Sequence, residues 1–180
     1  MKKLLCILVA VGALTMSASA DITVYFDPGS AIIYGVGNTV QVDILADITE
    51  DQAIVGWGMD VIGDNPGVAD VTNVAIGPLF DAAYAPDGDD LAGLVQQPGN
   101  VWGDGILLAT LTYTGYALGS NDIVGSDDNP VDLTEGFAID PDLGGGFGNM
   151  TYLPGCVHVI VPEPASLGLL ALGLVVLRRR

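Results

Sequence analysis

Carboxylates are the side chains of this sequence best suited to binding a ligand directly, and three short stretches hold clusters of them. Calcium is bound by clustered aspartate, asparagine and backbone oxygens, so the sequence predicts candidate calcium ligands there. The candidates are Asp87, Asp89 and Asp90; Asp127, Asp128 and Asn129; and Asp140 and Asp142. None of the stretches has the ligand spacing of an EF-hand. Turns rich in Asp, Gly and Pro explain the same residues, so both interpretations stay open.

Side chains suited to catalysis are scarce. Between residues 21 and 161 the chain has one histidine, His158, and neither lysine nor arginine. His158 lies in a valine-rich segment without a serine- or cysteine-centred nucleophile motif, so a strand position explains it better than a catalytic role. A glycosidase needs two carboxylates at a defined separation, and 21 carboxylates make any pair equally available. We therefore predict no enzyme and no required cofactor, with a glycan hydrolase as the least favoured alternative.

The two tryptophans are the candidates for an aromatic platform that binds sugar. Trp57 shares one strand face with Val55, Met59 and Val61, and this alternation favours a place in the core. Trp102 lies in the loop from residue 99 to residue 105, so it is the candidate ligand-binding residue.

The charges of the chain are strongly segregated. All five basic residues lie in the first three and last three positions, whereas 21 of the 22 acidic residues lie between residues 21 and 161. Such a domain repels nucleic acid, which is bound through basic contacts to phosphates, and anionic membrane surfaces. Its carboxylates must be separated, hydrogen-bonded or neutralised by cations.

The N-terminus has the pattern of a secretory signal peptide. Lys2 and Lys3 precede an apolar run from residue 4 to residue 15, and Ala18 and Ala20 form an A-x-A cleavage site. Residues 1–20 are therefore predicted to be a signal helix that is removed on export. After removal Cys156 is the single cysteine left, so no internal disulfide can form.

The C-terminus has three consecutive parts. Pro162, Glu163 and Pro164 come first, an uncharged apolar run of 13 residues follows from Ala165 to Leu177, and Arg178, Arg179 and Arg180 close the chain. The run would be about 20 Å long as a helix, which is short for a stable membrane span.

This tail, residues 162–180, resembles the PEP-CTERM sorting signal of bacteria. The resemblance implies transient insertion of a short hydrophobic helix into the inner membrane. It further implies processing near Pro162–Pro164 by an exosortase-type membrane protease and delivery to the cell surface or extracellular matrix. A simple tail anchor and a buried C-terminal helix are the alternatives.

The region from 21 to 161 has the length of one domain and reads as β structure throughout. Short runs of β-branched residues are separated by Asp, Asn, Gly and Pro. The clearest alternation runs over 39–48, where Leu45 is the one misfit, and the longest strand is predicted over 106–116 with Leu107 facing the core. We predict a helical turn over 79–84 and a terminal hairpin that pairs 150–153 with 156–161. The expected architecture is an all-β, antiparallel sandwich of about eight or nine strands.

Three segments carry a resemblance to cohesin domains, which are related to carbohydrate-binding modules. They are Gly37 to Ile44, Ile54 to Val61 and Gly103 to Tyr113, and the likeness extends over roughly 22–160. Cohesins of cellulosomes bind dockerins, although no dockerin-contact residue can be carried over. The resemblance implies that the sandwich is a jelly roll. It further implies a non-catalytic surface protein with a structural or adhesive role towards exopolysaccharide or another protein. A carbohydrate-binding module is the alternative.

Overall fold

The computed structural model describes residues 22–83, 91–96, 99–128 and 135–161. Strands form nearly all the regular structure of these residues. Short runs of β-branched and aromatic residues, bounded by Gly, Pro, Asp and Asn, explain this preference. Two single 3-10 turns, Glu50–Gln52 and Pro141–Leu143, are the other regular elements of these residues. The strands are β1 (Ile22–Asp27), β2 (Ser30–Tyr34), β3 (Thr39–Ile48), β4 (Ile54–Gly58), β5 (Asp60–Gly63), β6 (Ala69–Ile76), β7 (Phe80–Ala82), β8 (Ala92–Val95), β9 (Gly103–Gly115), β10 (Gly119–Ser126), β11 (Gly136–Ile139), β12 (Met150–Tyr152) and β13 (Gly155–Ile160).

One layer of the molecule is a five-stranded sheet in the order β12-β1-β3-β9-β6. β3 and β9 lie at its centre and pair antiparallel over most of their length. β12 is an exception to the antiparallel pattern, because it pairs parallel with β1.

The other layer consists of two four-stranded sheets, β2-β13-β10-β5 and β11-β4-β8-β7. The chain passes directly from one of these sheets to the other between β4 and β5, which are separated by the single residue Met59. Met59 is buried, and its backbone N–H donates to the carbonyl of Leu91 at 3.1 Å. Two layers packed through their apolar faces make an all-β sandwich.

The core between the layers is formed by the alternating inward residues of both. β1 and β3 contribute Ile22, Val24, Val42 and Ile44, all fully buried. The ring of Trp57 meets that of Phe80 edge to face at 6.0 Å between centroids. The prediction that Trp57 belongs to the core is confirmed.

A bulge in β9 reverses the predicted alternation. The pairing with β3 shifts register between Ile44 and Leu45, where Ala109 and then Leu107 are the partners. As a result Leu108 is fully buried, whereas Leu107 is half-buried. The predicted core position of Leu107 is therefore wrong, because an extra residue in β9 moves the side chains that precede it to the other face. Ala109, Leu111 and Tyr113 follow the bulge and keep the predicted core face.

Three further predictions about the strands need correction. The described residues contain thirteen strands, more than the expected eight or nine, because interruptions at 28–29 and 59 divide longer strands and β7 and β12 are very short. The segment expected to form a helical turn contains β7, which pairs antiparallel with β8. The terminal hairpin does not form, since β12 pairs with β1 while β13 pairs with β10 and β2. For the helical turn and for the hairpin, pairing with another strand overrides the local pattern.

The predicted signal helix and the predicted C-terminal hydrophobic helix lie outside the described residues. Within the described ranges, no helix combines the length and apolar composition that crossing a membrane requires.

Candidate interaction surfaces

Several of the predicted site residues lie outside the described part of the chain. These are the signal-cleavage residues Ala18 and Ala20, the acidic residues Asp87, Asp89 and Asp90, and the sorting residues Pro162, Glu163, Pro164, Arg178, Arg179 and Arg180. Their predicted roles stay predictions.

The candidate calcium ligands that the structure describes lie in turns. Asp127 and Asp128 follow β10 and are exposed, and the backbone N–H of Asp128 donates to the hydroxyl of Ser126 at 3.1 Å. Asp140 caps the second 3-10 turn, because its Oδ1 accepts from the backbone N–H of Asp142 at 2.9 Å. Among the described residues, no group of three or more His, Cys, Asp or Glu is arranged to hold a metal ion.

Trp102 lies at the surface, as its position in a loop predicts, with 52% of the side chain exposed. The preceding residue, Val101, exchanges two backbone hydrogen bonds of 2.9 Å with Ile54, which ties the loop to β4. A nearby polar cavity of about 400 Å³ is lined by Val55, Gly99, Asn100, Asp140, Pro141 and Asp142. Asn100 closes one side by donating from Nδ2 to Asp140 Oδ2 at 2.7 Å. Trp102 itself is not among the lining residues.

Cys156 and His158 are neighbours on the outer face of β13, with Sγ and Nδ1 3.8 Å apart. Burial and a hydrogen bond to Asp122 raise the pKa of the Cys156 thiol to about 11. A cysteine nucleophile needs the thiolate form, so this pair lacks the charge state of a catalytic cysteine at neutral pH.

A row of four residues crosses the sheet β11-β4-β8-β7, with an exposed leucine on an inner strand and a carboxylate at one edge. Ala138, Gly56, Leu94 and Asp81 stand opposite one another in successive strands and point outward; we call them the Leu94 row. Because Gly56 has no side chain, Leu94 lies across β4, and a Cβ built on Gly56 would be 2.9 Å from Leu94 Cδ2. Leu94 nevertheless remains 58% exposed. An exposed leucine on a flat surface is suited to contact with another apolar surface.

Sequence reasoning missed the Leu94 row. Gly56 and Gly58, two residues apart on one face of β4, are the sequence signal for a close approach or a bulge there, and Gly56 does lie against Leu94. The partner strand could not be read from the sequence, since β4 and β8 are far apart along the chain.

Without lysine or arginine, the carboxylates of the domain take neutral donors. Asp43 Oδ1 accepts from the hydroxyl of Thr110 at 2.6 Å, and Asp47 Oδ1 accepts from the backbone N–H of Gly105 at 2.7 Å. Burial and then the charge of Asp47 raise the pKa of Tyr25, whose hydroxyl donates to this carboxylate. These hydrogen bonds leave the mutual repulsion of the carboxylates unneutralised.

We expect added salt or calcium to raise the melting temperature of the chain by several degrees, because screening weakens the repulsion among the acidic side chains. The measurement is thermal unfolding of residues 21–180 in sodium chloride and in calcium chloride of equal ionic strength. No shift with either salt would contradict the prediction. A larger shift in calcium would indicate binding, and absence of heat in a calorimetric titration with millimolar calcium would end the calcium hypothesis.

Comparison with solved structures identifies the fold. The seventh ScaB type I cohesin of Pseudobacteroides cellulosolvens superposes with a TM-score of 0.54 at 17% identity, covering 79% of this chain and 94% of that one. A cohesin module from a family 33 glycoside hydrolase of Clostridium perfringens gives 0.56 at 6% identity, covering 80% and 100%. The third ScaC cohesin of Acetivibrio cellulolyticus, solved in complex with the ScaB dockerin, gives 0.53 at 14%, covering 78% and 99%. The described domain therefore has the cohesin fold.

The tail is identified separately. Residues 161–180 match the PEP-CTERM protein-sorting motif, which confirms the resemblance read from Pro162, Glu163 and Pro164, the apolar run and the arginines. The motif implies export and sorting to the surface. No curated protein is similar enough in sequence to count as a match.

Proposed function

We propose that this chain is an exported, non-catalytic protein-binding module that an exosortase-type protease processes at its tail. The mature domain stays at the cell surface or in the extracellular matrix and contacts a folded protein partner there. The Leu94 row is the observation that carries the proposal, because it presents a leucine that is 58% exposed on an inner strand of a sheet. Two points support a protein partner. Leu94 and its neighbour Ala138 are aliphatic, and a relative of the same fold was solved with a dockerin bound.

The proposal that the domain is not an enzyme rests on its side chains. The thiol of Cys156 is held protonated, and residues 21–161 contain no lysine or arginine that could stabilise an oxyanion or a phosphate.

The protein partner can be tested by photo-crosslinking in the native cell. A photoreactive amino acid at Leu94 should give a discrete protein adduct, whereas the same group at Leu153, which is 46% exposed and lies in another part of the molecule, should give none. Excess purified protein should compete the adduct away. Excess Leu94→Glu protein should compete roughly 30-fold less well, because a central apolar contact contributes about 2 kcal/mol.

Equal labelling at positions 94 and 153, or equal competition by the Leu94→Glu protein, would rule out the Leu94 row as the binding surface. An adduct that consists of polysaccharide would favour the alternative function.

Carbohydrate binding through Trp102 is the second candidate. Its support is the half-exposed indole, which follows in the same loop as Asn100, a residue that lines a polar cavity together with Asp140 and Asp142. This function predicts retention on a polysaccharide column, and Trp102→Ala should abolish the retention by removing a stacking platform. Phe147→Ala is the matched control, since Phe147 is an aromatic residue of similar exposure, at 59%. Retention that survives Trp102→Ala would exclude this site.

A further inference from the structure

Three segments that are far apart in sequence meet where the chain leaves the domain. The backbone N–H of Gly35 donates to the carbonyl of Ile160 at 2.8 Å, and that of Gly37 donates to the carbonyl of Gly115 at 2.8 Å. β13 also pairs with β2, which places Ile160 opposite Tyr34. The turn after β2, the turn after β9 and the end of β13 therefore form one end of the sandwich.

This end carries a group of exposed apolar side chains, which we call the tail-exit patch. Its members are Tyr34, Val36, Tyr116, Leu118, Ile160 and Val161, with exposed fractions from 39% to 61%. Val36 is flanked by Gly35 and Gly37, whose φ angles of 93° and 86° are in the left-handed region. Glycine adopts these angles without strain, so the turn can project Val36 outward.

The three segments are free of acidic residues in a chain that is otherwise rich in them. No Asp or Glu occurs in residues 28–42, 105–121 or 143–162. The tail-exit patch is therefore formed by the uncharged stretches of a domain with 21 carboxylates. An acidic domain can approach a lipid surface closely only through such a region, because carboxylates are repelled by anionic headgroups and lose hydration at the interface.

The connection to the tail is short. Pro162, Glu163 and Pro164 alone separate Val161 from the apolar run that begins at Ala165. Even a fully extended chain spans at most about 14 Å from the Cα of Val161 to that of Ala165. If the run lies in a membrane, the end of the domain that carries Val161 must lie at the membrane surface.

We propose that the tail-exit patch rests on the lipid surface while the tail is inserted and before it is cleaved. This inference rests on the proposed processing of the tail. Tyrosine side chains favour the boundary between headgroups and hydrocarbon, and Val36 and Leu118 add apolar area beside them. The contact orients the domain with the exit end towards the bilayer and holds the Pro-Glu-Pro segment at its surface, where a membrane protease can reach it.

Depth-dependent fluorescence quenching tests this contact. The chain from residue 21 to residue 180 is reconstituted into zwitterionic vesicles with nitroxide-labelled lipids, in a Cys156→Ser background. An environment-sensitive dye is attached to Leu118→Cys or, as the control, to Leu94→Cys. The two leucines are matched in exposure, at 56% and 58%. Leu94 lies on β8, in the sheet that contributes no residue to the tail-exit patch. We expect several-fold stronger quenching and a blue-shifted emission at position 118.

The outcomes separate this inference from the proposed processing. If the protein does not float with the vesicles, the tail does not insert and the proposed processing fails with it. If the protein floats but the dye at 118 is quenched no more than the dye at 94, the contact alone is excluded. If the emission of the dye at position 118 is blue-shifted but the labelled lipids do not quench it, a second copy of the chain covers the tail-exit patch. This result also overturns the inference.

Processing in the native cell gives a second test. Val36→Glu places a carboxylate in the tail-exit patch and should lower the fraction of processed protein several-fold. Leu153→Glu, at an exposed leucine outside the tail-exit patch, should leave that fraction unchanged. Equal processing of both variants would contradict a role of the contact in presenting the tail.

Discussion

Gly77→Ala should unfold a large fraction of the protein, with a loss of about 3 kcal/mol or more in the free energy of unfolding. A Cβ at position 77 would clash with the carbonyl oxygen of Leu107, which is backbone and cannot rotate away. The backbone N–H of Gly77 also donates to the carbonyl of Leu108 at 2.7 Å, so the chain cannot shift without breaking this bond. The contact is with the bulge of β9, at the centre of the larger sheet.

Gly99→Ala is the matched control for this experiment. A Cβ at position 99 would meet nothing within 4 Å, so we expect a change within about 0.5 kcal/mol. Urea unfolding of both variants, followed by tryptophan fluorescence, gives the two free energies. A Gly77→Ala protein as stable as the Gly99→Ala protein would show that the bulge does not pack against Gly77.

Cys156 should react with iodoacetamide at neutral pH about 10- to 100-fold more slowly than an unperturbed thiol, because a pKa of about 11 leaves less of it as thiolate. Burial is the largest cause of the raised pKa, and Asp122 is the next. The rate should therefore rise with pH until the folded-state pKa is reached. Protonation of this thiol favours the folded state below the ordinary cysteine pKa, and the contribution disappears as the pH rises through about 11.

Asp122→Asn separates the two causes. Removing the charge should lower the pKa of the thiol and speed alkylation several-fold, whereas Asp127→Asn should not, because Asp127 is not among the groups that raise this pKa. Denaturant should bring all three proteins to one rate. A native rate equal to the denatured rate would mean that Cys156 is an ordinary accessible thiol, and a faster native rate would reopen the question of a reactive cysteine.

Strands with a regular alternation could be predicted from the sequence. Ile44, Ala46 and Ile48 of β3 face the core as predicted, and the misfit at Leu45 marks the point where the pairing with β9 shifts register. Side chains of alternating polarity identify the two faces of a strand. They do not identify the neighbouring strand, which is why the terminal hairpin and the helical turn were wrong.

The tail and the charge distribution were properties of the sequence alone. The sorting motif is a linear signal, and its recognition needs no folded context. The segregation of basic and acidic residues likewise follows from their positions in the chain. Both can be read without coordinates because neither depends on which residues touch.

The two candidate surfaces were decided only by the tertiary structure. The Leu94 row takes one residue from each of four strands, and the tail-exit patch joins segments near residues 35, 117 and 160. Whether an apolar side chain is buried or exposed depends on the strand that pairs beside it and on the layer that covers it. Those partners are distant in sequence. The sequence therefore gives only the apolar character of Leu94 and Leu118, and the packing of the sheets determines that both side chains are exposed.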